Sequence, residues 1–322
     1  MALYVGGTMN FGDNAEATPE EGDVWYNDGM FYFGTSQTFP SAWFAGGNLA
    51  TARRLLAAAG TQAAGLCMGG SGSGGTLYDD TEEYDGTSWS GGGDLITERQ
   101  ALGGCGTQSA GLCMGGTPGV NGQEYNVTEE YNGSAWSTGG NILTAREGLA
   151  ACGSQSAGLC MGGAWYTMSR SQTEEYDGTS WSTGGNLLYA GDGLLGCGTM
   201  SAGLVAGNPD VTQEYDGTSW SFGGNLLEGA MGLAGAGTQS AGLRIGGLNT
   251  AKNTEHYDGT SWSAGSDLGT GRGSLAGCGT QSAALCMGGT DHWLNGSLSN
   301  VTEEYNRDPV EHEDLFSASG GL

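Results

Sequence analysis

Hydrophobic and polar positions recur along this chain with a period of about 40–50 residues, which is typical of propellers, solenoids and arrays. In one unit, the apolar run Ala-Gly-Leu-Cys-Met-Gly-Gly at 110–116 predicts a strand buried on both faces. The part-polar segment Val-Thr-Glu-Glu-Tyr at 127–131 predicts the next strand. A short strand at 99–106 and another at Trp136 complete four antiparallel strands, A to D. Four such strands form one blade of a β-propeller.

The number of blades follows from counting the repeated positions. The sequence Tyr-Asp-Gly-Thr-Ser-Trp-Ser occurs four times, with a close variant at 131–137. The tyrosines that end the C strands are Tyr84, Tyr131, Tyr176, Tyr215, Tyr257 and Tyr305. The tryptophans of the D strands are Trp43, Trp89, Trp136, Trp181, Trp220 and Trp262. Six blades are therefore predicted.

The two ends of the repeat do not match, and they predict how the ring closes. Trp43 has no A, B or C strand of its kind before it, and Tyr305 has no tryptophan after it. The last blade would therefore take strands A to C from 272–305 and its D strand from about 41–45 near the N-terminus. Such a closure removes the open sheet edges.

The repeat resembles a known family. A double glycine after an apolar strand, then a tyrosine, a tryptophan and an arginine, resembles the kelch repeat; one unit shows these as Gly115–Gly116, Tyr131, Trp136 and Arg146. The resemblance covers about 41–306 and implies a six-bladed kelch-like propeller. The tyrosine-to-tryptophan gap is shorter than usual, and one unit has the lone Gly207. The arginine is kept at Arg53, Arg99, Arg146 and Arg272 and replaced by Gly191 and Ala230.

Residues 1–40 do not repeat. The sequence around Trp25 and Tyr26, an Asn-Asp-Gly turn and the residues Phe31 and Tyr32 predict a β-hairpin. This segment is similar to short hairpins in tail-fibre and other virion proteins of bacteriophages, and the glycine-rich repeats resemble kelch arrays of marine phages. The resemblance implies that these four aromatic residues serve as an anchor or assembly contact. The acidic residues 307–322 are expected to form a C-terminal tail.

Composition limits the partners. The 322 residues carry a formal charge of −26 with only nine lysines and arginines, so we expect neither nucleic-acid binding nor docking on an anionic membrane. The excess acid keeps crowded copies soluble. No run of 18 apolar residues occurs, so no membrane insertion is expected. The 66 glycines hold fixed places in each repeat, which indicates tight turns rather than low-complexity sequence.

The eight cysteines are interpreted as free, buried thiols. Pairs such as Cys105 and Cys113 recur in three repeats, but the other repeats lack one of the two cysteines or both. If a disulfide were required, both cysteines would be kept or lost together. Cross-strand bridges in the three complete repeats are the alternative. Zinc is not expected, because the Cys-x7-Cys spacing has no accompanying histidine.

Little in the sequence indicates catalysis. Glycoside hydrolysis needs two unique carboxylates, whereas Glu82, Glu83 and Asp85 recur in most repeats and are interpreted as solvated strand and turn positions. Galactose oxidase is a kelch propeller enzyme, but the histidines here are only His256, His292 and His312. We therefore expect no enzyme activity, no metal and no cofactor.

The variable part of the repeat is the loop between strands B and C. All B–C loops of an antiparallel blade leave the same face, and length variation on one face is typical of a binding surface. These loops carry the aromatic and imidazole side chains Tyr78, Tyr125, Trp165, Tyr166, His292 and Trp293. Such side chains suit sugar stacking or protein contact. They could equally pack the loops onto the disc or onto a neighbouring subunit.

The function expected from these observations is that of a non-enzymatic bacteriophage virion protein, made in the host cytoplasm. It would be a tail-fibre, tail-associated or capsid-decorating subunit, multimeric on the particle. Its partners would be other virion proteins and a host-surface glycan or protein. The alternatives are a cellular kelch interaction adaptor and a galactose-oxidase-like propeller enzyme.

Overall fold

The computed structural model describes residues 41–119, 123–207, 209–248, 252–291 and 296–307, together with the backbone of two short strands nearer the N-terminus. Six four-stranded antiparallel sheets form a six-bladed β-propeller, which confirms the predicted fold class. Ser41–Asn306 forms one compact unit. A 3₁₀ turn occurs at Ser73–Gly75, in the B–C loop of the first blade.

Each blade consists of strands A to D, ordered from the channel outwards, and blades 1 to 6 are numbered in the chain order of their A strands. The A strands are β4 (Ala57–Thr61), β8 (Gly103–Thr107), β12 (Ala150–Ser154), β18 (Leu195–Thr199), β22 (Ala234–Thr238) and β26 (Ala276–Gly279). The B strands are β5 (Ala64–Met68), β9 (Ala110–Met114), β13 (Ala157–Met161), β19 (Ala202–Ala206), β23 (Ala241–Ile245) and β27 (Ala283–Met287). The C strands are β6 (Thr81–Tyr84), β10 (Thr128–Tyr131), β16 (Thr173–Tyr176), β20 (Thr212–Tyr215), β24 (Thr254–Tyr257) and β28 (Thr302–Asn306). The D strands are β7 (Trp89–Gly91), β11 (Trp136–Thr138), β17 (Trp181–Thr183), β21 (Trp220–Phe222), β25 (Trp262–Ala264) and β3 (Ala42–Ala45).

The ring closes in the predicted way. β3 pairs antiparallel with β28, with Trp43 opposite Tyr305, so the last blade is completed by an N-terminal strand. The A strands neighbour one another around the whole circle, including β26 beside β4. Observed B strands are shorter than predicted: β9 ends at Met114 because Gly115 adopts a φ of 64°. A side chain at Gly115 would place its Cβ 2.7 Å from the carbonyl oxygen of Arg146.

A closed circle of backbone hydrogen bonds surrounds the propeller axis. In every blade, the residue two positions before strand A donates its N–H to the carbonyl of the equivalent residue in the preceding blade, at 2.8–2.9 Å. The six residues are Leu55, Ala101, Gly148, Gly193, Gly232 and Ser274. All have a φ of 52–64°, a left-handed conformation that costs energy at the three non-glycine positions. The circle offsets this cost because it satisfies the polar backbone groups at that end of the channel.

Adjacent blades are joined by the residues that define the repeat. The Tyr131 hydroxyl donates to Glu83 of the preceding blade at 2.6 Å, and the Trp136 indole donates to Thr81 at 2.9 Å. Gln108 donates to two backbone carbonyls of that blade. The tyrosine contacts at the other boundaries, at 2.5–2.6 Å, are Tyr84–Glu304, Tyr176–Glu130, Tyr215–Glu175, Tyr257–Glu214 and Tyr305–His256. The constant sequence therefore encodes the interfaces between blades.

The first glutamate of each Glu-Glu pair is buried, so the prediction that it is solvated was wrong. Arg146, from the connection before strand A, is fully buried with its Nη1 2.6 Å from Glu174 Oε1. Equivalent buried pairs are Arg53–Glu82, Arg99–Glu129 and Arg272–Glu303. The second glutamate is half-buried and accepts the tyrosine hydroxyl described above. Only the turn position, represented by Asp85, is exposed, and there the carboxylate accepts N–H groups of its own turn.

The two blades that lack the repeated arginine differ in the residues that replace the buried ion pair. In blade 4, Gly191 replaces the arginine and Gln213 replaces its glutamate partner, so both charges are removed. In blade 5, Ala230 replaces the arginine but Glu255 remains. There Arg244 of strand B, at the position of Cys113 in blade 2, supplies the guanidinium 3.0 Å from Glu255. Burial lowers the pKa of Arg244 and raises that of Glu255.

The eight cysteines are free and buried, which confirms their interpretation as core thiols. The strand register explains why the Cys-x7-Cys pairs do not bond. Cys105 lies opposite Leu112, whereas Cys113 lies opposite Gly104. Because successive residues of a strand point to opposite faces, the two thiols of one blade lie on opposite sides of the sheet.

These thiols are expected to be unreactive until the protein unfolds. Burial raises the pKa of Cys105 and Cys113 to about 12, so the nucleophilic thiolate is scarce at neutral pH. A maleimide added at neutral pH should leave native protein unlabelled and place eight labels on unreduced, denatured protein. A Ser109→Cys variant, in an exposed turn, supplies a ninth thiol that should react at once. Two or fewer labels after denaturation would contradict the assignment.

The N-terminal hairpin is present in the backbone. β1 (Val24–Asn27) pairs antiparallel with β2 (Met30–Phe33), with Trp25 opposite Tyr32 and Tyr26 opposite Phe31. Residues 28–29 between the strands and residues 308–322 of the predicted tail at 307–322 lie outside the described residues. Among the described residues, no helix has the length and apolar character needed to cross a membrane.

Candidate functional site

The variable loops share one face of the propeller with the D–A connections. Strand direction alternates within a blade, so the A–B and C–D turns lie at one face, and the B–C loops and D–A connections lie at the other. We call the second one the B–C face. The circle of backbone hydrogen bonds lies at the same end, because its members immediately precede the A strands.

Two of the predicted binding residues hold their loops against the disc. Tyr78 donates its backbone N–H to Gly70 at 3.0 Å, and the Arg53 guanidinium lies 5.6 Å from the centroid of its ring. Tyr125 makes the equivalent backbone contact with Gly116 at 2.7 Å. Both side chains are half-buried. His292 and Trp293 lie outside the described residues.

The other two described binding residues project from a small hairpin on blade 3. β14 (Ala164–Trp165) pairs with β15 (Met168–Ser169). Trp165 and Tyr166 are 43% and 55% exposed, and Tyr166 has a φ of 61°, which is unusual for a bulky residue. Its backbone N–H donates to Glu124 of the blade 2 loop at 2.7 Å. A contact from the neighbouring blade therefore fixes the tip of the hairpin.

The connection from blade 3 to blade 4 lies along this hairpin. Gly191 donates its N–H to Arg170 at 3.2 Å, and the Ser169 hydroxyl donates to Asp192 at 2.7 Å. On this connection, Leu188 and Tyr189 are 53% and 49% exposed. Together with the hairpin they form an exposed apolar group, here called the hairpin cluster: Trp165, Tyr166, Met168, Leu188 and Tyr189.

The departure of blade 4 from the repeat shapes this cluster. Because Gln213 replaces a glutamate, it both accepts and donates: its Oε1 accepts the N–H groups of Leu188 and Tyr189 at 2.7 and 3.1 Å. Its Nε2 donates to the Tyr189 carbonyl at 3.0 Å. The amide thus fixes the backbone that presents Tyr189.

Carboxylates border the hairpin cluster. Burial raises the pKa of Glu147, and the nearby negative charges of Glu124 and Asp192 raise it further, to a smaller extent. Glu124 is buried, and its Oε2 has no hydrogen-bond partner among the described residues. Arg170 contributes one guanidinium, 5.5 Å from the centroid of the Trp165 ring. Three carboxylates against this one cation leave the described site formally negative.

Sequence reasoning identified Trp165 and Tyr166 but missed Met168, Leu188, Tyr189 and the carboxylates. A signal was present in the D–A connections. After the position that Leu188 occupies in blade 4, four of the six connections have threonine, whereas the one in blade 4 has Tyr189 and the one in blade 5 has Glu228. Comparison of the connections across blades would therefore have identified blade 4 as different.

The one histidine that the structure describes has a structural contact. His256 lies 2.6 Å from the Tyr305 hydroxyl at a blade boundary. Among the residues that the structure describes, no three His, Cys, Asp or Glu side chains are arranged to hold a metal ion.

No protein-family model matches this chain, and a search of curated proteins found no match.

Proposed function

We propose that this protein is a non-enzymatic structural subunit of a bacteriophage particle, in a tail-fibre, tail-associated or capsid-decorating position. Its propeller would present the B–C face to a partner, either another virion protein or the host surface. The kelch-like repeat and the Gly-Asp-Val-Trp-Tyr hairpin segment, both similar to phage virion sequences, support this origin.

The observation that carries the proposal is the placement of exposed apolar side chains. Of the ten large hydrophobic residues that are exposed in the described part of the chain, five belong to the two adjoining segments of the hairpin cluster. Large apolar side chains grouped on a rigid scaffold mark interaction surfaces more often than catalytic ones. By contrast, the repeated glutamates are engaged in ion pairs and tyrosine contacts, and the thiols lie in the core. These groups therefore stabilise the propeller.

The N-terminal hairpin is proposed as the anchor or assembly contact. Its strands carry Trp25, Tyr26, Phe31 and Tyr32, a density of aromatic residues suited to a protein interface. The sheet pairings of the six blades, including the closing strand β3, are made within 42–306. The N-terminal hairpin is therefore not required for these pairings, which supports a separate role for it in assembly.

Peptide mass spectrometry of gradient-purified virus particles from the source of this gene tests the proposal. We expect peptides from 41–306 to copurify at the abundance of a structural protein. A matched gradient of uninfected host lysate should lack them. Detection in cells but absence from particles would overturn the virion assignment and favour a cellular interaction adaptor.

A further inference from the structure

The hairpin cluster has features of a preformed docking surface. The Tyr166 N–H is held by Glu124, and the Tyr189 backbone is held at both its N–H and its carbonyl by Gln213. The side chains above these anchors are 43–55% exposed. A surface whose backbone is fixed before binding loses less conformational entropy when a partner binds.

Charge determines the kind of partner that fits. The carboxylates of Glu124, Glu147 and Asp192 border the cluster, and among the described residues there Arg170 is the one cation; the whole chain carries a formal charge of −26. Five of its nine lysines and arginines are consumed in buried ion pairs, so the surface is poor in cations. A second copy of this chain would meet strong like-charge repulsion. A partner with cationic side chains would be attracted instead.

We infer that the hairpin cluster binds a polypeptide segment in which apolar side chains alternate with lysine or arginine. The apolar side chains would cover Trp165, Met168, Leu188 and Tyr189, and the cationic ones would lie beside Glu147 and Asp192. The Trp165 ring already stacks with the guanidinium of Arg170, so a cation beside this ring is compatible with the site. This inference rests on the proposed function only in that the B–C face contacts a partner.

Fluorescence anisotropy with a labelled hexapeptide, Lys-Leu-Lys-Phe-Lys-Leu, tests the inference on the full chain. Trp165→Ala and Tyr189→Ala should each weaken binding about tenfold, as for central interface residues. Glu147→Gln should weaken it several-fold at about 20 mM salt and have little effect at about 500 mM, where charges are screened. Phe222→Ala is the control, because Phe222 is 62% exposed on β21 but outside the cluster.

Two matched peptides separate the contribution of charge from that of the apolar contacts. One has glutamate in place of lysine, and the other has serine in place of the leucine and phenylalanine residues. Equal affinity for the glutamate peptide, or an equal loss in Phe222→Ala, would overturn the inference. So would binding of neutral oligosaccharides without binding of the peptide, or self-association that Trp165→Ala abolishes. Thermal unfolding of each variant verifies folding. Virus-particle proteomics is independent of these assays, so either proposal can fail alone.

Discussion

Arg99→Ala is expected to destabilise the propeller by about 3–5 kcal/mol, the range for breaking a buried ion pair by removing one partner. Glu129 is fully buried, and its Oε1 pairs with Arg99 while its Oε2 accepts the Ile96 N–H at 2.7 Å. Without the arginine, the glutamate would keep a buried charge or become protonated. Urea unfolding measures the loss in the free energy of unfolding, provided that the variant and the native protein have the same m value.

The chain provides its own rescue designs for this variant. Blade 5 indicates that a guanidinium from strand B can replace the missing one, so Arg99→Ala with Cys113→Arg should recover most of the stability. Gly104 lies opposite Cys113, as Gly235 lies opposite Arg244, so the space is comparable. Blade 4 indicates that removing both charges is tolerated, so Arg99→Gly with Glu129→Gln should cost less than Arg99→Ala alone. A loss below about 1 kcal/mol in Arg99→Ala would contradict a stabilising pair.

Deleting residues 1–46 is expected to lower the melting temperature by about 8 °C or more, because the last blade loses its D strand. The deletion removes Trp43, whose ring centroid lies 4.9 Å from that of Tyr305 and whose indole donates to Thr254 at 3.0 Å. It also leaves β28 as an open sheet edge. Differential scanning calorimetry measures the change.

Deletion of residues 1–40 is the matched control, because it keeps β3 and all pairings of the six blades. A synthetic peptide of residues 40–48 should raise the melting temperature of the longer deletion in proportion to the logarithm of its concentration, as a ligand of the native state does. The same peptide with Trp43→Ser should be less effective. Equal melting temperatures for the two deletions would show that β3 does not stabilise the ring.

The sequence was most informative where one position recurs in every repeat. Trp136, Tyr131 and their equivalents allowed the blades to be counted, and the unmatched Trp43 and Tyr305 predicted the closure that β3 and β28 make. Such positions are read reliably because each performs the same local task six times. The error over Glu82 has the opposite cause. A Glu-Glu pair looks solvated locally, and its arginine comes from about 30 residues earlier in the chain, from Arg53.

By itself, then, the sequence determined the fold class, the number of blades, the closing strand and the free thiols, because repetition encodes local strands and turns. Tertiary structure decided the rest. It placed Arg244 beside Glu255, joined six carbonyls and N–H groups into a circle, and brought the blade 3 hairpin beside Tyr189 and Glu124. These features depend on contacts between residues from different strands and blades. Only the folded ring brings such residues within hydrogen-bonding distance.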